Sequence, residues 1–335
     1  MKLFPFILGV DVSKLTLDVC LLESASHQIY CQTCIDNTPK GVRSLLRLLK
    51  THHIQTQDCM VCFESTGVYS IPLSVYCEQN HWNYCEVAAL EIKRASGIKR
   101  AKTDTIDAKD IAFYALRNTD KLILSQRAET TIQQLKLLST ERGKLIKAIM
   151  LFESTCEDYD FLPKDVSKVV KQTNQRTLCM LKKNLCSIET SMKTLLEENE
   201  RLQKQSELLQ TIPGIGEATA QYMIITTKGF TSFSNSRKFA CYSGIAPFEH
   251  SSGSSIRGKT RVSPLANKKM KALLHMASLS AIRHDPELRL YYQRKKAEGK
   301  HSMLVLNNVK FKLVQRAFAV IKRESPYVVA CTFAA

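Results

Sequence analysis

The spacing of hydrophobic positions changes along this chain, and each change marks a different kind of element. Near the N-terminus the apolar runs are short. Ile7–Val12 is one such run and carries Asp11 at its end. Leu15–Leu21 alternates apolar and polar residues, the period of a half-buried strand. Ile29–Cys34 reads as a third strand. Pro39 then opens a helical stretch with Val42, Leu45, Leu46, Leu48 and Leu49 on its apolar side. Met60–Phe63 predicts a buried strand ending at Glu64. Ile71–Glu78 predicts a helix and Asn83–Val87 another strand. An antiparallel opening followed by βα units predicts a mixed α/β domain.

Beyond residue 125 the period lengthens. Leu135, Leu138, Arg142, Leu145, Ile149 and Phe152 recur every three or four residues, as in a long helix. Pro163 interrupts it. Leu178, Leu181, Leu185, Ile188, Met192, Leu195, Asn199 and Leu202 then form a heptad seam with Asn199 as a polar a position. An intermolecular coiled coil and a hairpin packed on itself both satisfy that seam. Pro213 and Gly214 mark the next boundary. The rest reads as mainly helical, with one polar loop, His250–Lys259. The expected domains are therefore 1–124, 125–207 and 208–335.

Charge sharpens this picture. The chain carries a formal net charge of +17. Residues 211–335 hold 20 Lys and Arg against 6 Asp and Glu, whereas residues 1–135 hold 15 against 14. A polyanionic partner, DNA first, is expected to meet the last third. No apolar run is long enough to span a bilayer, and the apolar start lacks a cleavage site. A cytoplasmic protein without membrane contact is expected. Two CxxC spacings, Cys31/Cys34 and Cys59/Cys62, lie in strand-like segments, where residues three apart face opposite ways. They predict buried free thiols better than a zinc site.

Four acids carry the candidate chemistry. Asp11 and Glu64 end apolar strands. Asp104 and Asp107, three apart, open a helix running to Arg117, which puts both on one helical face. Together they would make a pocket of negative charge that needs cations. Oxygen ligands suit Mg²⁺ or Mn²⁺. Asp104 and Asp107 also fit the simpler role of acids favoured at a helix N-terminus. Farther along, Pro213-Gly214-Ile215-Gly216 fits a helix-hairpin-helix whose backbone amides, at Gly214 and Gly216, meet a DNA phosphate. The Ser251–Ser255 loop is followed by Arg257, Lys259 and Arg261, with Lys268 and Lys269 beyond, a basic surface for nucleic acid. The tail interleaves Tyr291 and Tyr292 with Arg294, Lys295 and Lys296, as nucleic-acid contact or a solvated helix face would.

Together these residues resemble the DEDD-type insertion-sequence transposases, which include the Piv-type DNA invertases. Gly9–Lys14, Glu64–Tyr69 and Lys102–Ala108 look like the family's acid motifs. Ile212–Gly216, Gly244–Pro247 with Ser252-Gly253, and His284–Pro286 look like its C-terminal ones. The resemblance implies a RuvC-like (ribonuclease-H-like) N-terminal domain, a coiled-coil insertion and a mainly helical transposase domain. It implies that Asp11, Glu64, Asp104 and Asp107 bind Mg²⁺, and that Ser252 is the nucleophile forming a covalent link to DNA. Ser251 stands beside it as the other candidate. The resemblance further implies an element-encoded guide RNA and a homo-oligomer, dimer or tetramer. Val262–Lys269 departs from the family pattern by lacking a glycine. A RuvC-type structure-specific endonuclease, which needs the acids but not Ser252, is the alternative.

Overall fold

Successive side chains of Phe6–Val12 (β1) and Thr16–Glu23 (β2) point to opposite faces of a sheet, and most are buried on both. Ile29–Asp36 (β3), Cys59–Glu64 (β4) and Asn83–Val87 (β5) complete it. The strand order is β3-β2-β1-β4-β5, with β1–β3 antiparallel and β4 and β5 parallel to β1. The mixed α/β sheet expected from the pattern is present. The computed structural model describes residues 4–95, 104–252 and 256–328; for 104–106, 156, 157, 160, 249–252 and 256–261 it describes the backbone alone.

One face of the sheet packs on Pro39–Thr51 (α1) and Ile71–Gln79 (α2), through Leu8, Val10, Val19, Val61 and Phe63. Ala89–Ala95 (α3) and Asp104–Arg117 (α4) belong to the other face, where Ile7, Cys20, Met60 and Cys62 meet Ala108, Ile111 and Ala112. A β-carbon on Gly9 would stand 2.5 Å from both the Ala108 carbonyl oxygen and the Ala112 amide nitrogen. Those are backbone atoms that cannot swing aside, so only glycine lets α4 lie directly on β1. Cys59 and Cys62 fall on opposite faces, as strand alternation requires. Burial pushes the Cys59 thiol up to about 12, which makes it a poor ligand.

Residues Met1–Arg127 form one compact unit and Ala128–Ala335 a second. In the second, Thr130–Asp158 (α5) and Lys164–Glu197 (α6) fold back on each other. Their seams meet within the chain: Leu135 and Leu138 of α5 share a core with Ile188, Met192 and Leu195 of α6. Arg142–Glu189 at 2.8 Å and Lys182–Glu153 at 2.7 Å tie the flanks. One part of the seam reading is corrected. Asn199 is not an a position of a continuous helix, because α6 stops at Glu197. Asn199 is the N-cap of Glu200–Gln210 (α7) and accepts from the Leu202 amide at 3.1 Å. It also donates to Glu129. Asn199→Leu should therefore lower stability by about 1 kcal/mol, the usual cost of a lost cap, in urea unfolding. A polar seam position would have given a gain.

Glu217–Thr227 (α8), Ser236–Tyr242 (α9), Lys268–His284 (α10), Pro286–Ala297 (α11) and Ser302–Arg323 (α12) form the rest of this unit. They close over Phe239, Leu274, Val309 and Leu313. The polar loop expected at 250–259 is corrected as well. Its described residues, 250–252 and 256–259, lie in the paired strands of a β-hairpin, Pro247–Ser252 (β6) with Ile256–Val262 (β7). Serine and glycine hide strand periodicity because they carry little apolar signal. Among the described residues no helix is long and apolar enough to cross a membrane.

Candidate functional site

Asp11 and Glu64 come together through sheet register. Parallel pairing of β1 with β4 sets Val10 beside Phe63, so Asp11 and Glu64 occupy the next neighbouring positions. Alternation then decides the face. Ile7 and Gly9 face α4, and Asp11 continues that row. Met60 and Cys62 face the same way, and Glu64 continues theirs. Both acids are half-buried. Asp107, also half-buried, precedes Ala108, the residue that α4 lays over Gly9. Asp104 is the first residue of α4; its side chain lies outside the described residues. Among the described residues no three His, Cys, Asp or Glu side chains form a metal-holding group.

Asp18 was missed by sequence reasoning. It pairs directly with Asp11 across β1 and β2, in the row of Cys20 and Leu22. Its polar place in Leu17-Asp18-Val19 is the signal that could have found it. Three carboxylates thus stand on neighbouring strands of one face. Of the thiols on that face, burial pushes Cys20 up to about 11 and Cys62 further still, and Cys34, exposed and opposite Asp18 on β3, is raised by burial first and then by the Asp18 charge. Thiols held protonated are poor ligands, whereas carboxylate oxygens suit a hard divalent cation.

Loop contacts hold these strand ends. Asn37 Nδ2 donates to the Ser13 carbonyl at 2.8 Å and the Tyr69 carbonyl at 3.0 Å, joining the loop after Asp11 to the loop after Glu64. Ser65 and Ser70 both donate to Glu86, at 2.7 and 3.1 Å. No periodic signal marks Asn37, because its role depends on two loops distant in sequence.

In the second unit, hairpin register sets Ser252 opposite Ile256, Ser251 opposite Arg257 and His250 opposite Gly258. The side chains of Ser251, Ser252, Arg257, Lys259 and Arg261 lie outside the described residues, as do Lys99–Thr103 and Gly253–Ser255 entirely. Gly214 has φ +97°, and a β-carbon there would come within 2.5 Å of the Ala277 carbonyl oxygen. Its glycine lets the turn lie on α10. Gly216 is open and caps α8 without a side chain. Lys268 is exposed at the start of α10. Lys269, also exposed, is engaged by its own chain: it donates to the Ser139 carbonyl at 3.0 Å and the Ser139 hydroxyl at 2.9 Å, and lies over the Tyr222 ring. In α11, Arg294 and, from α12, Lys312 lie over Tyr291.

Two family models match. One, described as "Transposase", covers residues 8–153, and one described as "Transposase IS116/IS110/IS902 family" covers residues 206–293. The chain is 24% identical to the "Pilin gene-inverting protein" of Moraxella bovis, over 96% of this chain and 97% of that protein. It is 29% identical to the "Insertion element IS110 uncharacterized 43.6 kDa protein" of Streptomyces coelicolor, over 41% of this chain and 32% of that one. The solved structure "T. thermophilus RuvC in complex with Holliday junction substrate" matches at 10% identity with a TM-score of 0.29, over 36% of this chain and 99% of that chain. The family matches, together with the pilin gene-inverting and IS110 relatives, mark the chain as an enzyme of DNA recombination, a transposase. Both parts of the chain thus resemble transposases, the C-terminal part those of the IS116/IS110/IS902 family.

Proposed function

We propose that this enzyme cuts and rejoins DNA strands with two sets of groups, an acid set in the first unit and a serine in the second. The placement of Asp11 beside Glu64, on the face covered by the helix of Asp107, carries the reading. The strand order, with β2 antiparallel in an otherwise parallel centre, supports a ribonuclease-H-like first unit. Asp11, Glu64, Asp104 and Asp107 would hold Mg²⁺ or Mn²⁺. When bound, such an ion offsets phosphate charge and lowers the pKa of an attacking hydroxyl. Asp18 adds negative potential beside them.

Ser252 is the proposed nucleophile. Its Oγ attacks phosphorus and loses a proton, while the P–O bond to the leaving deoxyribose oxygen breaks and that oxygen gains a proton. Attack of a new strand end on the serine phosphodiester reverses these changes and rejoins DNA. Arg257, Lys259, Arg261 and Lys268 would bind phosphates, with the backbone at Gly216. The relatives' names point to two outcomes of the same chemistry, insertion of an element and inversion of a segment. An element-encoded guide RNA and a dimer or tetramer follow from the family resemblance. Exposed Phe161, Val166 and Val169 where α5 turns into α6 offer apolar surface for such assembly. Action on chromosomal DNA would place the enzyme in the cytoplasm.

A denaturing gel of end-labelled DNA, with guide RNA and Mg²⁺, tests the serine. Wild type should give a retarded band that protease removes, and Ser252→Ala should give none while still binding DNA. Cleavage by Ser252→Ala would favour the structure-specific endonuclease instead. Loss of the band in Ser251→Ala alone would move the nucleophile by one residue.

A further inference from the structure

Two lysines and a histidine gather between α10 and α12, with no acid beside them among the described residues. Lys271 and His275 stand four apart on α10, on a single helical face. Lys310 comes from α12 and is only 3% exposed. Burial first, then the charge of Lys271, holds the Lys310 ammonium below its usual range. Burial first, then Lys310, does the same to His275. Among the described residues none of the three side chains has a hydrogen bond or an ion pair, and His275 Nδ1 is buried without a partner. Two other cations of this unit have partners: Lys269 in Ser139, and Arg316 in Asp285 and Glu287. An ammonium carried on a buried side chain, with no counter-ion among the described residues, is unfavourable. Its retention beside a second ammonium and an unpartnered imidazole is explained if an anion completes the cluster.

The cluster sits at the root of the β6–β7 hairpin. The Lys271 Cδ is 3.7 Å from where a β-carbon on Gly244 would stand. Asn307, one turn before Lys310 on α12, donates to the Ile245 carbonyl at 2.6 Å. Gly244 and Ile245 lead into β6, the strand of Ser251 and Ser252. Lys271 and His275 are half-buried and open the cluster to solvent.

We propose that Lys271, His275 and Lys310 form a seat for a backbone phosphate of DNA at the base of the serine hairpin. The ligand class is a phosphodiester, held by two ammonium groups and an imidazole edge. The seat rests on the strand-transfer reading, and would hold DNA in register with the hairpin without taking part in bond making.

The test uses the full chain and two probes, inorganic phosphate and duplex DNA. At constant ionic strength, tens of millimolar phosphate should raise the wild-type melting temperature saturably, by roughly 2 °C. Lys310→Met should melt no lower than wild type, since a buried unpaired charge is gone, and should not respond to phosphate. Its DNA affinity should fall about tenfold at low salt, with the log–log salt slope reduced by about one. Lys271→Met, at a half-buried position, should show the same losses and serves if Lys310→Met fails to fold. Equal phosphate shifts in wild type and variants, or no shift in wild type, would overturn the seat. So would variants with the wild-type salt slope. Should wild type bind no DNA, the strand-transfer reading fails, and the phosphate melting shift still decides the seat.

Discussion

Asp11→Asn should reduce strand cleavage by roughly 10³-fold or more while leaving the fold intact, a loss on the scale seen when a group essential to the chemistry is removed. The substitution keeps shape and removes charge. Asp11 lies at the centre of the acid row, with Asp18 opposite it on β2 and Glu64 next to it on β4. Three carboxylates at such spacing repel one another, so neutralising one should leave melting unchanged or raised. The same change removes a ligand from the proposed cation site. Activity should thus collapse without a matching loss of stability, which an ordinary structural residue would not show. Asp18→Asn is the informative companion: it relieves the same repulsion but should cost far less cleavage, because Asp18 is not among the four proposed ligands. The measurements are single-turnover cleavage of end-labelled DNA across a Mg²⁺ titration, and thermal melting without DNA. Cleavage by Asp11→Asn within tenfold of wild type would end the acid-site reading.

Asp285→Ala should destabilise the second unit by about 3–5 kcal/mol, the cost of breaking a buried ion pair. Asp285 is completely buried. It caps α11 by accepting from the Leu288 amide at 3.0 Å. It also pairs with Arg316 of α12, whose side chain is only 12% exposed. Arg316 reaches Glu287 at 2.7 Å and lies over the Tyr327 ring at 4.6 Å. Removing the carboxylate uncaps one helix and leaves a guanidinium buried with only a half-exposed partner. Removing both charges is different, because no unpaired ion remains. Asp285→Leu with Arg316→Leu should recover much of the loss. Urea unfolding, followed separately for the two units where their transitions divide, measures it. Additive losses in the double variant would show that the pair is not a unit.

The elements of the first unit were legible in the sequence nearly residue by residue. Apolar alternation at Leu15–Leu21, the run Met60–Phe63 and Pro39 before an apolar helical face are local signals, and each rests on the period of one element. The acids were legible for the same reason: Asp11 and Glu64 are charges that end apolar runs, and Asp104 and Asp107 share a helical spacing. The heptad seams were legible too, but not what they pack against. Both partners lie in the same chain, joined across Pro163, and a seam carries no label for its partner. Asn199 was misread because a residue in heptad phase keeps that phase even where the helix breaks; the break came from backbone geometry at Glu198 and Asn199. The serine hairpin was misread as a loop because its residues have no apolar period.

What the sequence by itself determined is each element's period and the positions where charge interrupts it. Tertiary structure alone decided which interruptions meet. Sheet register brought Asp18 opposite Asp11, the absent side chain of Gly9 let α4 descend onto that face, and helix packing joined Asp285 to Arg316 and gathered Lys271, His275 and Lys310. These are contacts between residues far apart in the chain, fixed by close packing and pairing, and a local pattern holds no record of them.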